Sequence, residues 1–108
     1  MHSVLETPIF TRRADALLSA DDRADLISML AADPLAGALV PGLGGIRKVR
    51  FAPIGRGKSG AFRVIYYPGS EDLPILALLI YGKNEQANLS SAQRKAIMQV
   101  VERWKQQP

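Results

Sequence analysis

Hydrophobic residues in the first third of the chain recur at helical spacing after one short extended segment. Residues 3–10 predict a strand, and Pro8 places it at a sheet edge because proline cannot donate a hydrogen bond to a neighbouring strand. Two helices are expected next, the first capped by Thr11 and the second capped by Ser19 and ended by Pro34. Their apolar positions are Ala14, Leu17 and Leu18 in the first helix and Ala24, Ile27, Leu30 and Ala31 in the second.

After residue 45 the apolar positions alternate, which predicts strands. Three consecutive strands are expected at residues 46–52, 61–67 and 75–81. The third is apolar on both faces and should lie inside the sheet, and the short linkers favour antiparallel pairing. A last helix, capped by Ser90 or Ser91, extends to about Lys105. The pattern predicts one domain over residues 1–108, of the α+β class. It has a mainly antiparallel sheet with helices on one face, in the order β-α-α-β-β-β-α.

Positive charge is concentrated in the middle of the chain. The 108 residues carry a net charge of +4. Between Pro34 and Ser70 there is no Asp or Glu, and the cations of this stretch are Arg47, Lys48, Arg50, Arg56, Lys58 and Arg63. A region with one sign of charge attracts polyanions such as nucleic acids, although a merely solvated basic face has the same composition.

Four cations are candidates for direct chemistry. Arg63 lies in the middle of a strand among apolar neighbours, where a guanidinium is unfavourable unless it is paired, faces a groove or reaches water along its stem. Arg56 and Lys58 lie in a glycine-bearing turn, which suits either phosphate binding or simple solvation. Lys83 follows Gly82 at the end of the apolar strand, a position that is weak evidence by itself.

Several other classes of chemistry are disfavoured. Residues 52–59 match a relaxed phosphate-binding-loop motif, but the strand before them is charged and the segment after them reads as a strand, so nucleotide hydrolysis is not expected. The chain has no cysteine, no histidine-containing triad and no metal-ligand spacing, so no metal and no cofactor are predicted. No signal-peptide pattern is seen, and the longest apolar run is too short to span a membrane. We therefore expect a cytoplasmic protein without membrane association.

Three segments in one consistent order carry a family resemblance. They are VPGLGGIRKVRFA (40–52), GRGKSGAFRVIYY (55–67) and LLIYGKNEQANLS (78–90). Together with FTRRADALLS (10–19), this pattern resembles the HigB-like branch of the RelE/ParE toxin superfamily, over nearly the whole chain. The resemblance implies a RelE-like fold and a type II toxin that enters the ribosome and cleaves messenger RNA. It also implies a cognate antitoxin, usually a helix-turn-helix protein, that neutralises the toxin.

The resemblance also implies roles for individual residues. By motif position Arg63, Lys83 and Lys58 are the catalytic candidates, with Arg63 resembling the strand arginine that contacts the scissile phosphate. The RNA- or ribosome-binding candidates are Arg47, Lys48, Arg50 and Arg56. RelE itself has an arginine where this chain has Asn84 and a tyrosine near the place of Ser90. These departures question the proton-transfer assignments more than the family.

The basic region contains no histidine or carboxylate, so lysine and arginine must do most of the chemistry. Clustered cations lower one another's pKa, which makes Lys58 or Lys83 a conceivable base, whereas arginine stays protonated and suits Arg63 to charge stabilisation. The alternative function is a ParE-like toxin that poisons DNA gyrase without nuclease activity. A third is a binding module that only engages an antitoxin.

Overall fold

The computed structural model describes residues 2–53, 61–82 and 84–106. Its strands are β1 (Val4–Glu6), β2 (Ala38–Leu39), β3 (Arg47–Phe51), β4 (Phe62–Tyr67) and β5 (Ile75–Gly82), and its helices are α1 (Pro8–Leu17), α2 (Ala20–Ala32) and α3 (Ser91–Lys105). The strands form one sheet in the order β1-β5-β4-β3-β2, antiparallel except for the β1–β5 pair. The predicted α+β class and mainly antiparallel sheet are confirmed, and β5 lies inside the sheet as expected. The two-residue strand β2 was not predicted.

The chain turns from β1 into α1 earlier than the sequence pattern suggested. The side chain of Thr7 caps α1 by accepting a hydrogen bond from Phe10 N at 3.2 Å. Pro8 occupies the first helical turn, where the missing amide donor would have had no helical partner. The prediction of a strand to residue 10 and a cap at Thr11 is therefore wrong. Strand β1 does lie at a sheet edge.

The other two helix starts agree with their predicted caps. Ser19 accepts from Asp22 N at 3.1 Å and begins α2. Ser90, one of the two caps proposed for the last helix, begins α3 in a reciprocal arrangement: its hydroxyl accepts from Gln93 N at 3.1 Å, while the Gln93 side chain accepts from Ser90 N at 3.0 Å. Such a capping box satisfies amide donors that the helix itself leaves free.

Helices cover both faces of the sheet, so the prediction of helices on one face is wrong. Val64 and Tyr66 of β4 pack in a cluster with residues of α1 and α2, whereas Ile65 packs in a second cluster with Ile97 and Val101 of α3. The physical reason is the composition of the central strands. Every residue of β5 from 75 to 81 is buried, and a strand that is apolar on both faces needs cover on both.

A β-bulge in β5 decides which way the end of that strand faces. Ile65 pairs with Leu79 and Tyr66 pairs with Ala77, so Leu78 has no opposite residue on β4. The extra residue shifts the alternation of the strand by one position, so Ile80 lies on the α1–α2 face and its two neighbours on the α3 face. Leu79 and Tyr81 therefore join the α3 cluster, although Ala77 lies on the α1–α2 face.

Among the described residues, no helix has the length and apolar character needed to cross a membrane.

Candidate nucleic-acid interface

Strand register places two arginines and a tyrosine in one row across the α3 face, which is the side of the sheet that α3 covers. Arg50 of β3 lies opposite Arg63 of β4, and Arg63 lies opposite Tyr81 of β5. Side chains alternate along a strand, so Lys48 shares this face with Arg50. Lys48 lies in the next row, opposite Ile65. The meander thus gathers three of the predicted cations onto one face.

The two arginines of this row have no acidic partner among the described residues. The ion pairs among the described residues are Arg13–Glu85, Arg23–Glu6 and Arg23–Asp15, and none of them includes Arg50 or Arg63. Like charges directly opposite each other on neighbouring strands are destabilising, because their repulsion is not compensated. Arg50 is exposed and Arg63 is half-buried, with its Nη1 atom buried and unbonded within the described residues. The row therefore carries positive charge that an incoming anion would relieve.

Tyr81 adds an uncharged donor to the same row. The residue is 1 % exposed, and its hydroxyl has no hydrogen-bond partner among the residues that the structure describes. Burial raises the pKa of Tyr81, and the positive charge of Arg63 opposes that shift without reversing it. The hydroxyl is therefore protonated at neutral pH and can donate a hydrogen bond.

A cleft of about 170 Å³ lies beside this row. Its lining includes Lys48, Ile65 and Tyr81 from the sheet, Pro41 from the loop after β2, and Asn88 and Arg94 from the region where α3 begins. Arg94 Nη2 donates to the carbonyl oxygen of Pro41 at 2.8 Å, which ties the first turns of α3 to that loop. The cleft combines cations, an amide and apolar walls, a mixture that suits a nucleotide better than an apolar ligand.

Arg47, another predicted RNA-binding residue, lies on the opposite face. Its Nη1 atom donates to the carbonyl oxygens of Gly37 at 2.6 Å and Leu35 at 3.3 Å. Tyr66 fixes the same loop, accepting from Gly37 N at 3.0 Å and donating to the Pro34 carbonyl oxygen at 2.8 Å. The structure therefore gives Arg47 a part in holding the loop between α2 and β2, and it does not bring Arg47 to the cleft.

Three further candidates, Arg56, Lys58 and Lys83, lie outside the described residues, and their roles stay predictions. The chain on both sides of position 83 is anchored, since Glu85 Oε1 accepts from Gly82 N at 2.8 Å and Glu85 N donates to Gly82 O at 3.0 Å.

The Glu85 carboxylate is committed to these structural contacts. The backbone hydrogen bond from Gly82 and the hydrogen bond from Arg13 lower the pKa of Glu85, so its carboxylate is a poor proton acceptor at neutral pH. In the described part of the chain, no three His, Asp or Glu side chains are grouped as a metal site requires.

Sequence reasoning missed Tyr81, Asn88 and Arg94. A signal for Tyr81 was present, because its hydroxyl is the one polar side-chain group in the apolar segment 75–81. Its orientation depends on the bulge at Leu78, which alternation alone does not show. Helical spacing places Arg94 on the polar side of the last helix, which does not distinguish it from a solvated residue, and Asn88 carried no signal.

No family model matches the chain. Among solved structures, it is similar to the free state of the toxin RelE from E. coli, in a double arginine-to-alanine mutant. The TM-score is 0.62 at 12 % sequence identity, and the match covers 93 % of this chain and 97 % of that one. At such low identity the likeness bears on architecture alone. The chain has a RelE-like fold.

Proposed function

We propose that this protein is the toxin of a toxin–antitoxin system and that it cleaves messenger RNA on the ribosome. The observation that carries the proposal is the row of Arg50, Arg63 and Tyr81 beside Lys48. These are cations and a hydroxyl donor that have no partner among the described residues. They lie on one face of a RelE-like fold, where Lys48 and Tyr81 line a cleft. The sequence resemblance to the HigB-like branch supports the same activity and suggests a helix-turn-helix antitoxin as the inhibitory partner.

The arrangement favours a phosphate-bearing ligand over a neutral one. Cations without acidic partners lose little by binding an anion, and an Arg guanidinium can hold a phosphate through two parallel hydrogen bonds. Contacts to phosphate position a nucleic acid without reading its sequence. Lys48 and Arg50 would position the RNA backbone in this way, and the sequence predicts Arg56 as a further phosphate contact.

Cleavage of RNA by its own 2′-hydroxyl has three chemical requirements. The 2′-oxygen forms a bond to phosphorus as the bond to the 5′-oxygen breaks, so the 2′-oxygen must lose a proton and the 5′-oxygen must gain one. The phosphate must also be stabilised as charge builds on its oxygens. We assign the charge stabilisation to Arg63 and the proton transfers to Lys58 and Lys83. Glu85 is excluded from the base role because its carboxylate is already engaged by Gly82 and Arg13.

Dependence on the ribosome follows from how sparse these groups are. A site without histidine or a free carboxylate has little capacity to orient a flexible RNA, and correct orientation can supply a large part of a rate enhancement. The ribosome would hold the messenger strand in an attack geometry that this small protein does not impose by itself.

The proposal predicts that the purified protein blocks translation and leaves DNA gyrase unaffected. Added to a reconstituted translation reaction, it should stop protein synthesis and leave shortened messenger RNA, because the basic face acts on RNA phosphates. In parallel, gyrase supercoiling should proceed at its normal rate. The Arg63→Ala protein, matched in concentration, is the control. Intact messenger RNA together with inhibited supercoiling would replace the proposal by the gyrase-poisoning function.

A further inference from the structure

We infer that Tyr81 is a direct ligand of the scissile phosphate, donating a hydrogen bond from its hydroxyl to a phosphate oxygen held by Arg63. The inference rests on the proposed function, since it names a further residue of the same site. The Tyr81 hydroxyl keeps its proton throughout, so it adds a donor to the oxyanion and does not act as acid or base.

Two buried tyrosines on neighbouring strands show why the Tyr81 hydroxyl is unusual. Tyr66 is 0 % exposed, and its hydroxyl both accepts from Gly37 and donates to Pro34. Tyr81 is buried to the same degree, yet its hydroxyl bonds to nothing that the structure describes. Buried polar groups nearly always find a partner, because an unmet donor loses its bonds to water without replacement. A phenol that only filled space in β5 could have been phenylalanine.

The position of Tyr81 indicates which kind of partner its hydroxyl would bind. Its cross-strand neighbour is Arg63, whose Nη1 atom is also buried and unbonded among the described residues. Tyr81 lines the cleft whose walls also include Lys48 and Arg94. Two unmet donors on adjacent strands, one of them from a residue in the wall of this cleft, can share a single acceptor. A phosphate oxygen can accept from both donors at once, whereas a cation would be repelled.

The bulge in β5 gives this orientation a structural origin. Without the extra residue at Leu78, strand alternation would place Tyr81 on the α1–α2 face together with Ala77. The bulge turns the last residues of β5 so that Tyr81 lies on the face of Arg50 and Arg63. Bulges often re-aim a side chain next to a functional site, in agreement with this assignment.

The test compares Tyr81→Phe with Tyr66→Phe, which remove the same single oxygen from opposite faces of the sheet. Affinity is measured by fluorescence anisotropy with a short 2′-O-methyl RNA, which the protein cannot cleave, and stability by thermal unfolding. Tyr81→Phe should bind this RNA about tenfold more weakly, with a melting temperature that is unchanged or higher. Tyr66→Phe should bind normally and melt several degrees lower, because it leaves Gly37 and Pro34 without their partner. Arg63→Ala is measured in the same two assays and tests whether the phosphate site is correctly placed.

Each combination of results decides a separate point. If Arg63→Ala weakens RNA binding and Tyr81→Phe does not, the inference about Tyr81 is overturned while the proposed function stands. If neither change affects binding, the phosphate site is misplaced and both fail together. If Tyr81→Phe lowers the melting temperature as much as Tyr66→Phe does, the hydroxyl has a partner inside the protein and the inference is overturned.

Discussion

Replacing Arg63 by alanine should reduce ribosome-dependent cleavage of messenger RNA by roughly a hundredfold or more, the scale of losing one transition-state charge contact. The fold should hardly change, with the free energy of unfolding within about 1 kcal/mol of the parent protein. The reason is that the Arg63 guanidinium makes no ion pair in the described structure, so its removal breaks no internal partner, and it relieves repulsion from Arg50. Cleavage and thermal unfolding should be measured on the same preparation.

Arg63→Lys separates charge from geometry at this position. A lysine ammonium is a point charge that cannot hold phosphate through two parallel bonds, so this variant should recover little of the lost activity. A different result is expected if Arg63 is a buried structural partner of residues outside the described ranges. Alanine would then destabilise the protein by about 3–5 kcal/mol, and activity would fall because the protein unfolds. A stable and fully active Arg63→Ala protein would contradict both readings.

Arg50→Glu should strongly reduce activity while stabilising the fold. A glutamate at position 50 lies directly opposite Arg63 and replaces a like-charge pair by an opposite-charge pair, which should raise the free energy of unfolding by about 0.5–1 kcal/mol. The new carboxylate would also occupy Arg63 and repel RNA phosphates. Binding and cleavage should therefore fall by about a hundredfold. Chemical denaturation and ribosome-dependent cleavage together measure the two opposite effects.

Arg12→Glu is the matched control for that prediction. Arg12 is an exposed cation of α1 and is not part of the row formed by Arg50, Arg63 and Tyr81, and the substitution changes the net charge by the same amount. If Arg12→Glu lowers activity as much as Arg50→Glu does, total charge governs binding, and the row of cations has no special role. Lower stability of Arg50→Glu would show instead that repulsion between Arg50 and Arg63 is already compensated in the native protein.

Local signals in the sequence predicted most of the strands and two of the helix starts. Ser19 and Ser90 cap helices where the pattern placed them, because a capping residue acts on amides two or three positions away. The start of α1 was misread, although a threonine followed by proline at residues 7 and 8 is itself a helix-start signal. Strand β2 could not be predicted, since two residues carry no periodicity and their pairing with β3 depends on the fold of the loop before them.

Some features of the site also follow from local sequence signals, and others depend on the three-dimensional fold. Alternation along β3 is enough to place Arg47 on the face opposite Lys48 and Arg50, and the structure shows this arrangement directly. Which strands lie next to each other could be inferred from the short linkers. The row formed with Tyr81 could not be predicted from the sequence, because it requires the bulge at Leu78, and a bulge has no reliable signature in one sequence. The unmet donors of Arg63 and Tyr81 are likewise visible only in three dimensions.

The most direct test of the central claim is to map cleavage of one messenger RNA with and without ribosomes. The protein should produce discrete cuts in RNA that is engaged by ribosomes, and at least a hundredfold less cutting of the same RNA free in solution, because the ribosome supplies the orientation that the site lacks. The cuts should disappear with Arg63→Ala. Equal cutting of free and ribosome-bound RNA would contradict the dependence on the ribosome, and no cutting in either case by soluble, folded protein would contradict the proposed nuclease function.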